Sequence, residues 1–154
     1  MKRVALSLCL ALLLLASASS HAQYFGKNKV QYTNFNWQYV QSEHFNVYYT
    51  DGGEEIAAFV LETAEESYRH LQKSFRYQLT DRIKIILHNS HNDFQQTNVD
   101  LSEPEESVGG FTEFFKNRVV IPYDGEWEKF RHVIHHELTH AVMLQMLYGS
   151  GAQQ

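Results

Sequence analysis

His136-Glu137-Leu138-Thr139-His140 lies inside a long helical pattern that begins near Glu126 and Trp127 and runs out at Leu147-Tyr148-Gly149. Residues of an α-helix advance by about 100° and about 1.5 Å each, so His136 and His140 leave the same face about 6 Å apart along the axis. Two imidazoles so placed can reach one ion. Glu137 falls between them in angle, close enough to touch a water beside that ion and too offset to be a natural third ligand, which suits a general base.

Histidine is common in this chain, 9 of 154 residues, and HExxH arises by chance in about 4% of sequences of such composition. The context decides against two unrelated surface histidines. Phe130, Ile134, Leu138, Ala141, Gln145 and Tyr148 form a mostly apolar stripe at helical spacing, and His136, His140 and Met143 occupy the neighbouring face. An amphipathic helix with this motif is the form in which zinc hydrolases carry their metal ligands.

Lys2 and Arg3 precede an apolar run from Val4 to Ala16 and the small residues Ser20 and Ala22. The pattern predicts a signal peptide over residues 1–22, cleaved before Gln23, and the run is short for a membrane span. The mature chain is expected to be secreted or periplasmic, with no span of its own. Cys9, the only cysteine, lies in that leader, so residues 23–154 hold no disulfide or thiolate site. Removing Lys2 and Arg3 from the 13 basic residues leaves 11 against 18 acidic ones, about −7 with neutral His. That balance argues against nucleic acid. The roughly 132 remaining residues are enough for one domain, with 10 Phe and 9 Tyr to fill its core.

Along the chain, residues 23–41 are aromatic and amide-rich without a steady period and read as an extended arm. Phe45, Val47 and Tyr49 alternate with polar neighbours as in a half-buried strand. Asp51-Gly52-Gly53 ends it, and Glu54 and Glu55 open a helix expected to reach about Leu79. Ile83, Ile85 and Leu87 mark a second strand, so the β, α, β order predicts an α+β fold: a mixed sheet with a long covering helix. Residues 89–108 read as a polar loop with a short helix near Asp93 to Gln96. Phe111 to Phe115 and Arg118 to Tyr123, separated by Lys116-Asn117, predict a β-hairpin. Asp124 is the expected N-cap of the HExxH helix.

The run HELTHAV, His136 to Val142, resembles the active-site helix of thermolysin-like gluzincins, and the element order resembles the N-terminal subdomain of such zincins. More widely, FGKNKVQYTNFNW, EHFNVYY, NDFQQTN, GGFTEFFKNRVVIPY and HELTH together resemble the peptidase-like domain of exported proteins that continue into a TolB-type β-propeller. This likeness spans Tyr24 onward. It implies a zincin-like metallopeptidase domain over residues 23–154, a Zn2+ cofactor on His136 and His140, Glu137 as the catalytic base and a peptide or protein substrate. It also implies a possible C-terminal β-propeller in the full-length protein. By the same likeness, Phe111, Thr112, Glu113 and Phe114 lie at the sheet edge where an extended substrate adds a strand; the plainer reading is an ordinary hairpin strand.

A catalytic zinc has three protein ligands, and the gluzincin third ligand is a Glu on a later helix. Residues 141–154 contain no Asp, Glu, His or Cys, so the resemblance implies that this ligand lies beyond residue 154 and that residues 1–154 alone are inactive. A metzincin pattern is excluded because Met143 and Met146 stand where it needs Gly and His. His132 could approach the metal but reads more simply as solvent-facing or supporting, and His135 as a surface or core residue. His88 and His91 flank a strand end and could form a second site; Glu103, Glu105 and Glu106 read as a solvated loop. Two rival functions stay open: a catalytically silent interaction domain beside a propeller, and a structural zinc site with four protein ligands.

Overall fold

The computed structural model describes residues 34–95, 109–113 and 116–149. The expected leader, the arm up to Thr33, Phe114 and the acidic stretch with Glu103, Glu105 and Glu106 lie outside them. The described residues form a mixed α+β fold, with strands β1 (Trp37–Gln41), β2 (Phe45–Thr50), β3 (Ile83–His88), β4 (Phe111–Glu113) and β5 (Arg118–Pro122). Helices α1 (Glu54–Phe75), α2 (His91–Gln95) and α3 (Trp127–Tyr148) connect and cover them.

The sheet runs β1-β2-β3-β5-β4. β2 is parallel to β3 and β3 to β5, while β1 and β4 close the edges antiparallel. The period-two pattern explains the core. Phe45, Val47, Ile83, Ile85, Leu87, Val119 and Ile121 bury one sheet face against Ala57, Val60, Ala64 and Tyr68 of α1 and Phe130, Ile134, Leu138 and Val142 of α3. Burial of a side chain of this size contributes about 1.5–3 kcal/mol, so this layer dominates the stability. Val120 and Phe94 are buried away from that cluster, where Phe94 packs on Phe111 with ring centroids 5.6 Å apart.

Four expectations shift. The end of the aromatic arm is a paired strand: β1 lies along β2, with Tyr39 opposite Tyr48 and Val40 packing on the core. The first helix ends at Phe75 rather than near Leu79, because Arg76 turns into the left-handed region at φ 52°. The chain then folds back, and the Leu79 N–H donates to the Tyr68 hydroxyl at 2.9 Å. The third concerns α3, where Glu126 holds the cap position without a side-chain bond. Asp124 sits two residues earlier, accepts the Glu126 N–H at 3.2 Å and pairs with Lys129 at 2.6 Å.

The short helix α2 starts slightly earlier than expected. The Ser90 hydroxyl accepts the Asp93 N–H at 3.2 Å, an N-cap contact, and donates to the Asp93 carboxylate at 2.8 Å. Among the described residues no helix is long and apolar enough to cross a membrane.

Candidate functional site

α3 is a half-buried helix held at both ends. At its start Trp127 packs on Phe59 and Tyr123, each with centroids 4.7 Å apart, and Arg131 reaches Glu66 of α1 at 3.1 Å. Near its end Gln145 is buried and serves the loop that follows α1. Its side-chain carbonyl accepts the Thr80 N–H at 3.0 Å, and its amide donates to the Asp81 carbonyl at 3.1 Å. Tyr148, placed by the sequence in the apolar stripe, is 60% exposed.

Between these anchors His136 and His140 project from an exposed face. Their Nε2 atoms are 3.2 Å apart and their rings meet edge to face, centroids 4.7 Å apart. Two nitrogens bound at about 2.0–2.1 Å in a tetrahedral shell stand about 3.3–3.4 Å apart, so the imidazoles already have the separation a zinc ion needs. The donor chemistry fits as well, since neutral imidazole is a favoured zinc ligand. Among the described residues no group of three or more His, Cys, Asp or Glu is placed to hold a metal.

Glu137 turns the other way and is 7% exposed. It lies toward the hairpin, where the Thr112 hydroxyl is 2.9 Å from its Oε2 and 3.1 Å from its main-chain oxygen. Close backbone passage makes this possible. A Cβ on Gly110 would sit 2.8 Å from Ile121 Cγ2 and 3.3 Å from Glu137 Cγ.

The four expected substrate-strand residues divide. Among the described residues β4 is an edge strand, paired antiparallel with β5. Phe111 packs on Phe94, Glu113 pairs with Arg118 and Lys116, and Thr112 faces Glu137; Phe114 lies outside the described residues. The contact between Thr112 and Glu137 has no counterpart in the sequence reading. A register placing Thr112 opposite Val119, a core residue, would have signalled it.

The remaining histidines stand apart. His132 and His135 are exposed and line a groove of about 450 Å³ between α1 and α3, with His70, Glu66, Glu128 and Arg131. His88 is 5% exposed, and Phe35, Trp37 and Phe94 contact its ring at centroid distances of 5.7 to 6.0 Å. Burial pushes its pKa down to about 4, with Asp93 acting in the opposite sense. His88 Nδ1 and His91 Nε2 are buried without a hydrogen-bond partner, and the pair belongs to no metal-holding group among the described residues. No family model, curated protein or solved structure matches the chain.

Proposed function

We propose that this chain carries the HExxH half of an exported zinc metallopeptidase of the gluzincin type, acting on peptide or protein substrates. The observation that carries the reading is the 3.2 Å separation of the His136 and His140 Nε2 atoms on an exposed face of α3, next in sequence to the buried Glu137. A docking module has no need of that carboxylate. The third ligand comes from outside the described residues; the gluzincin resemblance assigns it to a Glu on a later helix.

Zinc, when bound, supplies a Lewis acid that acidifies water and polarises a carbonyl oxygen. His136 and His140 contribute neutral imidazole nitrogens. Glu137 accepts the proton of the attacking water and delivers it to the leaving amine. β4, at the sheet edge, offers backbone hydrogen bonds to an extended peptide. Lys2, Arg3 and the apolar run after them support export; a processed protein beginning at Gln23 is the expected product, and one beginning at Met1 would contradict it.

The test is a Glu137→Gln variant of the full-length protein, assayed with zinc on a library of internally quenched peptides. The amide keeps the size of the side chain but takes no proton, so hydrolysis is expected to fall about 10²- to 10⁴-fold while zinc content is unchanged. Equal hydrolysis by both proteins would remove Glu137 as the base. A wild type that binds zinc and cleaves nothing would favour the silent interaction domain.

A further inference from the structure

Glu137 has two carboxylate oxygens, and β4 treats them differently. Strand alternation sends Phe111 and Glu113 to one side of the sheet and Thr112 to the helix side, where its partner Val119 is in the core. There the Thr112 Oγ1 is 2.9 Å from Glu137 Oε2 and 3.1 Å from the Glu137 main-chain oxygen. A hydroxyl has one proton to donate, and both acceptors belong to the same residue. The β-branched side chain is stiff at χ1, and a hydrogen bond to a carboxylate is about twice as strong as one between neutral groups.

We infer that Thr112 is the positioning residue of Glu137: its hydroxyl holds Oε2 and leaves Oε1 as the oxygen that takes the proton. The role deepens the peptidase reading and rests on it. A base acts only within hydrogen-bond reach of its proton, and a glutamate side chain left alone samples several rotamers. Thr112 restricts that search from a neighbouring strand. Gly110 brings the strand close enough for the bond to form, since a side chain there would meet Ile121 and Glu137.

Two measurements test this on the full-length protein. In the zinc-loaded form, Thr112→Val keeps the shape and loses the hydroxyl; kcat on a quenched peptide cleaved by the wild type is expected to fall about 10- to 100-fold with KM unchanged. Thr112→Ser restores the hydroxyl and is expected to recover most of that loss. An unchanged kcat in Thr112→Val, or equal impairment of the Ser variant, overturns the proposal. In the metal-free form, a double-mutant cycle of Thr112→Val with Glu137→Ala reads the bond itself by urea unfolding. A coupling of about tenfold in the folding equilibrium is expected, and additive effects overturn the proposal. A wild type without any hydrolysis defeats the peptidase reading and the catalytic use of Thr112 together, whereas coupling lost with hydrolysis intact defeats Thr112 alone.

Discussion

The side chain of Gln145 accepts the backbone N–H of Thr80 at 3.0 Å, although 65 residues separate the two along the chain. The same amide donates to the Asp81 carbonyl, and its carbonyl lies 3.3 Å from the Tyr77 hydroxyl. One buried polar side chain thus ties the segment after α1 to the end of α3.

Gln145→Leu fills much of the same volume and strands the Thr80 N–H and the Asp81 carbonyl. A group left without a partner costs about 1–3 kcal/mol when buried, and Thr80 and Asp81 are exposed residues, so a loss of about 1 kcal/mol is expected. Urea unfolding monitored by circular dichroism measures it; an unchanged midpoint would show that water replaces the amide at no cost.

His136→Ala and His140→Ala should each weaken zinc binding by the full-length protein more than about 100-fold, while His132→Ala leaves it near wild type. His132 opens onto the groove between α1 and α3, apart from the His136–His140 pair. Competition against a chelating indicator gives the three constants. Loss of tight binding in His132→Ala would place that residue in the coordination shell.

His88 makes stability depend on pH. Its folded pKa of about 4 lies below the ordinary 6.5 because burial disfavours the charged ring. Above pH 6.5 both states are neutral and the contribution is complete. As the pH falls from 6.5 towards 4, the unfolded chain binds the proton first and stability is lost, by roughly 2–3 kcal/mol across that window. His88→Phe should flatten this part of the curve relative to wild type. Parallel pH profiles of unfolding, if superimposable, would dissociate His88 from the acid sensitivity.

Gly110→Ala should destabilise by about 1–3 kcal/mol, as overpacking does elsewhere. The added carbon would lie 2.8 Å from Ile121 Cγ2 and 3.1 Å from the Val120 carbonyl oxygen. Thermal unfolding checks it, and a Tm equal to wild type would mean that β4 can shift freely. Such a shift would carry Thr112 with it.

Much of the frame was legible because period and burial agree. Phe45, Val47 and Tyr49, then Ile83, Ile85 and Leu87, each face the core on alternate residues, and the acidic start of α1 follows Gly53 as expected. β1 was hidden because an edge strand is ordered by its partner: Trp37 and Tyr39 stay exposed, and only pairing with β2 reveals the strand. The spacing of His136 and His140 follows from helix geometry and was readable outright. The bond between Thr112 and Glu137 was not, since it depends on a hairpin register and on the passage of Gly110. His88 looked like a loop residue at a strand end. Its burial comes from Phe35 and Phe94, brought to it from two other segments.

α3 resembles a beam with two supports, the aromatic cluster of Phe59, Tyr123 and Trp127 at one end and the Gln145 tether at the other. His136 and His140 lie in the span between. A beam fixed at both ends bends little, so the backbone positions from which the two imidazoles project are set by the folded chain. On the proposed metallopeptidase reading, part of the entropy of bringing two donors to one ion is then already lost during folding.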